Sequence, residues 1–466
     1  MENVVRHYVP NGEQERKKKT GLSFYQTIWR WHFYAGIIFA PFLIILAFSG
    51  AVYLFKPQIE SILYKNLYYV QETKEKPLPL SKMAANVQKK YPKAAMISVT
   101  LEKDRNRTVQ VGMIENGNMF TVYVNPYTGK IVGKLNASED IMEIFKKIHS
   151  ELLIGGTVAN RIVELAACWA LILLLTGLYI WWPRNKSSIW GTFFPRLRKK
   201  GRPFWRDMHA VLGFWLTGGI LLLILTGLPW TGVMGEGINW LATSTKTGYP
   251  PFSFSFGPKP ESVTVTKEVA QDVPWAAENL PVPASKINGY VPLSIDDVDK
   301  IAEKEHIIKP FTISMPQGPT GVFTIATSKT SPKDNATLHV DQYTGQVLSD
   351  VRFSDYGIMA KAITIGIALH EGRLFGLVNQ MINLIACLGL ILIAVSSFVM
   401  WRKRKPQGKL GAPAKAQDKK VMRAVTVMMF VMGCIMPLVG ISIIAVLLLD
   451  KLVIPRIKPL NEWLTM

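Results

Sequence analysis

The sequence predicts a mainly α, polytopic membrane protein: five transmembrane helices, four from a parallel tandem repeat and one additional, with two small α+β modules outside the membrane. Three observations carry this reading. Apolar residues make up 49% of the 466 positions, and they gather into runs of about 20 residues, the length that crosses the hydrocarbon layer. Much of the formal charge of +21 lies in short segments beside those runs. The chain also repeats itself, half on half.

Residues 1–27 are polar and read as a cytosolic tail, and the first span covers 28–55. Trp31 and Tyr34 suit the aromatic belt at a membrane interface. Ala47-Phe48-Ser49 looks like a cleavage site, but the long polar stretch ahead of the span predicts an uncleaved signal anchor. In the module 56–140, helical spacing over 80–91 precedes alternating stretches at 95–102, 108–115 and 119–125, with a turn at Asn125-Pro126-Tyr127-Thr128-Gly129. One helix on a small antiparallel sheet is the simplest fold for that pattern. An amphipathic helix and turn at 141–159 lead into the second span, 160–183, and a basic loop, 184–207, follows.

The second half retraces the first: span 208–235, module 236–360, amphipathic helix 361–377, span 378–401 and basic loop 402–423. A fifth span, 424–450, containing Pro437, Gly440 and Ser442, stands outside the repeat, and residues 451–466 form a tail. The basic segments include Lys17, Lys18, Lys19 and Arg30, then Arg184, Lys186, Arg196, Arg198, Lys199, Lys200, Arg202 and Arg206, then Arg402 to Lys405, Lys409, Lys415, Lys419, Lys420 and Arg423. Basic loops stay in the cytoplasm. The N-terminus is therefore expected inside, segments 56–155 and 236–369 outside, and the C-terminus outside. This charge pattern reads as topology in a lipid bilayer, not as a nucleic-acid surface. Cys168, Cys387 and Cys434 fall within spans and read as packing residues; there is no C-x-x-C-H for covalent haem attachment.

Residues 29–50, WRWHFYAGIIFAPFLIILAFSG, and 204–227, FWRDMHAVLGFWLTGGILLLILTG, share one design. Trp and Arg precede a histidine (His32, His209), a glycine follows four residues later (Gly36, Gly213), and another follows eighteen later (Gly50, Gly227). Tyr-Thr-Gly recurs at 127–129 and 343–345, His149 aligns with His370, and Trp182 aligns with Trp401. Each copy starts and ends on the same side, which makes the copies parallel repeats.

The H-x3-G first helix, the modules ending in a Tyr-Thr-Gly turn, the histidine-bearing helix before a span that closes in Trp181-Trp182-Pro183-Arg184, and the fifth span together resemble the PepSY-associated transmembrane family of bacteria. The resemblance covers nearly all of the chain after residue 27. It implies a bacterial cytoplasmic-membrane protein with PepSY-like outer modules. Some members carry two haems and reduce ferric siderophores.

An ionisable side chain in a span is costly and marks a functional site by default. Two imidazoles can hold a b-type haem iron axially with no open position, which suits electron transfer. The expectation is haem b, in two copies: one between His32 and His209 near the cytoplasmic side, a second between His149 and His370 near the exterior. The pairing stays open, because His149 and His370 precede their spans and can lie on helices folded over the outer haem. Gly36 and Gly213 would let a flat macrocycle lie against the helix backbone. Arg30 and Arg206, and outside Arg161 and Arg373, would neutralise propionates. The plainer readings are helix packing for the glycines and membrane orientation for the arginines. His7, His306 and His339 read as solvent-facing, Arg161 and Glu164 as a local ion pair, and Asn379 and Asn383 as hydrogen-bonding residues of undecided partner.

There is no Gly-rich dinucleotide fingerprint and no long cytosolic segment for a flavin or nicotinamide domain. Electrons must then come from a cytosolic reductase or a quinol, and would pass to an external acceptor such as a ferric siderophore or other iron chelate. The rival reading is a non-enzymatic PepSY-type binding or regulatory protein acting on a peptidase or cell-wall partner. A transporter is the third.

Overall fold

In a computed structural model the described residues are 11–183, 188–248, 264–285, 291–328, 331–413 and 418–464. His7, Arg184, Lys186 and Lys415 lie outside them. The principal helices, in chain order, are α1 (Asn11–Tyr53), α2 (Leu80–Lys90), α3 (Ile141–Glu151), α4 (Gly156–Trp181), α5 (Arg202–Gly227), α6 (Val233–Ser244), α7 (Ile295–Lys304), α8 (Ile358–His370), α9 (Gly376–Arg404), α10 (Lys419–Ile435) and α11 (Pro437–Leu448). The strands are β1 (Ala95–Leu101), β2 (Val109–Glu115), β3 (Asn118–Val124), β4 (Ile131–Asn136), β5 (Phe311–Ser314), β6 (Val322–Thr327), β7 (Ala336–Asp341) and β8 (Val347–Arg352).

The chain divides into two compact units. The first unit gathers the residues up to Ala51, Ile148–Gly235 and the chain from Leu384 onward. Among the described residues five helices are long and apolar enough to cross a membrane: Phe24–Tyr53, Gly156–Trp181, Arg202–Trp230, Gly376–Arg404 and Pro437–Arg456. This is the pattern of a polytopic membrane protein. The polar stretch expected as a tail is helical from Asn11 and continuous with the first span.

The fifth span differs from the single helix expected over 424–450. The chain breaks at Met436, whose φ of −123° and ψ of 86° are not helical, and turns back at Pro437, where proline removes a backbone donor. Gly433 and Gly440 meet there so closely that a Cβ on Gly433 would lie 2.9 Å from the Gly440 Cα. The result is a hairpin of α10 and α11 whose tip residue, Met436, is buried, as backbone free of helical pairing at membrane depth requires. The Trp169 indole on α4 donates to the Ser442 hydroxyl at 3.0 Å and ties α11 to the bundle. The backbone N–H of Leu410 donates to the Trp463 carbonyl at 2.9 Å. The C-terminal residues therefore sit at the same end as the 402–423 loop, and the expectation of a C-terminus on the opposite side is corrected.

At this basic end each following loop is pinned to its helix. Trp401 donates through its indole to the Leu410 carbonyl at 2.9 Å, and Trp181 does the same to Thr192 at 3.0 Å. The partner of Trp401 in this role is thus Trp181, whereas Trp182, the residue aligned by sequence, is exposed.

The second unit, Val52–Lys147 and Glu236–Asn383, holds one eight-stranded sheet in the order β4-β3-β2-β1-β5-β6-β7-β8. The sequence predicted two separate small sheets. They join because β1 and β5 pair antiparallel, Val99 opposite Ile313 and Thr100 opposite Thr312, and the two threonine hydroxyls bond at 2.8 Å. The pairing removes two open edges, which would otherwise present unpaired N–H and C=O groups. One apolar core runs the length of the sheet, with Met83 and Val87 of α2 and Val298 and Ala302 of α7 packed on it. The recurring Tyr-Thr-Gly is a turn in which Asn125 Oδ1 accepts from the N–H of Tyr127 and Thr128, and Asp341 Oδ1 from those of Tyr343 and Thr344. Gly129 and Gly345 close the turns at φ 69° and 71°, a left-handed conformation that costs glycine nothing.

His306 is exposed, as expected, but His339 is not. It is fully buried on β7, because the face of β6 and β7 opposite the core is covered by residues around Thr266 and Leu280, and Thr266 Oγ1 lies 3.4 Å from its Nε2. Burial pushes the His339 pKa down from 6.5 to about 4. A depressed histidine is held neutral by the fold, so stability is full above pH 6.5 and is lost as pH falls through the window from 6.5 to about 4, by roughly 3 kcal/mol.

Two predictions follow from these placements. On acidification from pH 6.5 to 4, hydrogen exchange corrected for intrinsic rate should show β6 and β7 losing protection in the full chain, and His339→Gln should abolish that loss. In a cysteine-free background, Lys409→Cys and Lys458→Cys should react with a membrane-impermeant maleimide from the same side. Labelling from opposite sides would refute the hairpin.

Candidate functional site

Two half-buried imidazoles of the first unit lie close together. His32 lies on α1 and His209 two turns into α5. Their rings stand 6.2 Å apart between centroids, with planes at 82°. The structure therefore brings together the pair that the repeat singled out.

Each ring is fixed by a bond from Nδ1 to a different helix. His32 Nδ1 lies 2.9 Å from the Thr176 hydroxyl of α4, and that hydroxyl donates to the Ile172 carbonyl at 2.7 Å. With its proton spent there, Thr176 accepts from His32, so the proton of His32 is on Nδ1. His209 Nδ1 lies 2.9 Å from the Ile393 carbonyl of α9, which can only accept; its proton is also on Nδ1. In both rings Nε2 therefore carries the lone pair, the state a metal-ligating imidazole needs. A methyl group at Gly177 would come within 3.3 Å of His32 Cε1, whereas one at Gly36 or Gly213 would meet no atom within 4 Å. Glycine at 177 thus seats the ring, and the glycines at 36 and 213 leave open space beside their histidines.

Thr176, Gly177 and Ile393 escaped the sequence reading for one reason. A threonine bonded back to its own helix, a glycine in a span and a backbone carbonyl give no distinctive signal. Asp207 was also missed, although it stands inside FWRDMH as the one acid at the head of an apolar run. It is fully buried and held by Arg196 through Nε at 2.7 Å and Nη2 at 2.8 Å. Arg206 adds a contact at 3.1 Å. This bidentate pair locks the 188–200 loop over the start of α5, two residues before His209.

Both inner arginines are engaged with protein. Arg30 donates to the Pro413 carbonyl and to the Tyr34 hydroxyl at 3.0 Å, and Arg206 donates to the Gly191 carbonyl at 2.9 Å. Their observed work is loop anchoring.

His149 also belongs to the first unit. Its Nδ1 lies 3.0 Å from the Leu46 carbonyl on α1 and 3.2 Å from Ser49 Oγ, which again places the proton on Nδ1 and the lone pair on Nε2. A Cβ on Gly50 would lie 3.1 Å from His149 Cε1, which explains the glycine eighteen residues after His32. Glu164 is fully buried. It pairs with Arg161 at 3.5 Å and accepts from the N–H groups of Val233 and Met234 at 2.9 and 2.8 Å, so it caps the first turn of α6. In the second unit His370 ends α8, and the Asn383 amide donates to the carbonyls of His370 at 3.1 Å and Leu369 at 2.7 Å. Asn379 also donates to Leu369, at 3.1 Å. Both asparagines serve the open carbonyls of that helix end. Arg373 pairs with Glu371.

Among the described residues no group of three or more His, Cys, Asp or Glu side chains is placed to hold a metal ion; a two-imidazole site needs none. No curated protein matches the chain. Residues 29–404 match the family model described as the PepSY-associated TM region, a span of the chain that includes all four membrane-related histidines, and the protein belongs to that family.

Proposed function

We propose that this chain is a haem-bearing membrane oxidoreductase that carries electrons from the cytoplasmic side to an acceptor outside, a ferric siderophore or other iron chelate. The observation that supports it is the His32–His209 pair, with both protons on Nδ1. The two imidazoles would supply both axial nitrogen ligands of a haem iron, and their ring centroids stand 6.2 Å apart. The open space at Gly36 and Gly213 fits a flat macrocycle.

His32 and His209 would hold the inner haem; the pairing of His149 with His370 at an outer one comes from the sequence alignment alone. A haem bound this way supplies one-electron chemistry with no open coordination position. The protein contributes the rest. Thr176 and the Ile393 carbonyl hold the rings and the tautomer, and Asp207 fixes the loop at the inner end. Reduction of the acceptor's iron to the ferrous state weakens its bonds to hard oxygen ligands and releases the metal. The tandem repeat supports this arrangement, since it supplies the histidines in matched pairs. The basic loops support an inner cytoplasmic end.

Haem quantitation with a visible spectrum tests the assignment. Wild type should carry two b-type equivalents with a reducible Soret band. His32→Ala and His209→Ala should each lose one equivalent, and the same one by its alpha band. His149→Ala and His370→Ala should lose the other. A haem-free wild type, with chelate reduction absent, would instead favour a binding or regulatory protein.

A further inference from the structure

The loop between α4 and α5 carries a surface whose chemistry the electron-transfer reading does not use. Its residues 188–200 do not run out into water. The Trp181 indole at the end of α4 holds the Thr192 carbonyl at 3.0 Å, and the Trp215 indole holds the neighbouring Phe193 carbonyl at 2.8 Å. Trp215 stands thirteen residues after Arg202, where that span begins, and is 60% exposed. The Phe193 ring packs edge-on against Trp181 and Phe214, each at 5.6 Å. The loop is therefore laid against the exposed side of α5. Its own exposed residues fall into two groups. Ile189, Trp190, Phe194 and Leu197 are each 50% or more exposed, and the Trp190 and Phe194 rings meet at 5.7 Å. Arg198, Lys199, Lys200 and Arg202, which follow directly, are exposed cations. Residues 184–206 contain no acid, and the first one beyond them, Asp207, is already taken up by Arg196 and Arg206.

We propose that this loop is a binding foot for anionic phospholipid in the leaflet at the basic end. Two features fix the occupant. An apolar patch beside a span, rimmed by charge, fits the boundary between acyl chains and headgroups, where aromatic side chains gather. Four cations next to it, with no acid of their own, match the phosphates of anionic lipid, and each lysine or arginine of such a cluster adds to the attraction. A soluble acidic protein would match the charge but leave the apolar side chains without their hydrocarbon cover. Zwitterionic lipid would cover them but leave the charge unmatched. The same loop carries Arg196, whose guanidinium holds Asp207 near the start of α5. Lipid held by the loop thus bears on the segment just ahead of His209. Lipid binding here needs no haem, so its test stands apart from that of the proposed activity.

Native mass spectrometry of the full chain in detergent, titrated with dioleoyl phosphatidylglycerol or dioleoyl phosphatidylcholine, tests this. Wild type should bind its first phosphatidylglycerol roughly tenfold more tightly than phosphatidylcholine. Arg198→Gln, Lys199→Gln, Lys200→Gln and Arg202→Gln together should erase that preference, and Trp190→Ser with Phe194→Ser should weaken phosphatidylglycerol roughly threefold. The same charge removed from the other basic loop, by Arg402→Gln, Lys403→Gln, Lys405→Gln and Lys409→Gln, should leave the preference in place. Millimolar glycerol 1-phosphate should not displace the lipid. Should the first fourfold variant fail to fold, Lys199→Gln with Lys200→Gln should still reduce the preference roughly threefold. The proposal is overturned by a wild type without preference, by a preference that survives these substitutions, or by equal loss from the other loop. Displacement by glycerol 1-phosphate also overturns it, because the loop would then be a site for free anions.

Discussion

The arrangement depends on two hydrogen bonds that join different helices, His32 Nδ1 to Thr176 and His209 Nδ1 to Ile393. Each decides three things at once. It compensates a polar group held at membrane depth, where an unpaired one would be expensive. It locks the ring's orientation, and it fixes the tautomer. Without them the two rings would be polar defects in a membrane bundle; with them, both rings carry their lone pairs on Nε2. The glycines divide the same labour: Gly177 and Gly50 admit an imidazole, and Gly36 and Gly213 leave room beside one.

The rest of the first unit serves to keep α1, α4, α5 and α9 in place. At the basic end Asp207 and Arg196 close one loop, Arg30 with Trp401 closes the other, and the C-terminal residues return to the second. A buried ion pair is weak evidence for stability in itself, but removing one partner would leave an uncompensated charge. Asp207 therefore constrains the segment just ahead of His209. Toward the other ends Glu164 does the comparable work by capping α6.

How much of this was legible in the sequence follows from the range of each interaction. The apolar helices of a polytopic membrane protein were legible because apolar length is a property of the run itself. The Tyr-Thr-Gly turns were legible because an Asx turn closed by a left-handed glycine is written in adjacent residues. His32 and His209 stood out because an imidazole in an apolar run has few cheap explanations, and the duplication paired them. The single eight-stranded sheet was not legible, since edge pairing between β1 and β5 joins residues about 214 apart by backbone groups that every sequence has. His339 was misread because alternation predicts one open face, and the cover over it comes from a segment without a pattern of its own. The hairpin was misread because Pro437 in an apolar run suits a kinked helix as well as a reversal, and only the Gly433–Gly440 contact decides it.

The central claim, one iron held by His32 and His209, is tested most directly by low-temperature electron paramagnetic resonance of the oxidised protein. Two imidazole ligands that kept the 82° between the ring planes would leave the orbitals of a shared iron nearly degenerate, so the account predicts a highly anisotropic low-spin ferric signal with a large maximum g value, lost in His32→Ala and in His209→Ala alike. A ferric signal that is only high-spin, or a low-spin signal of this kind that survives either substitution, would contradict it.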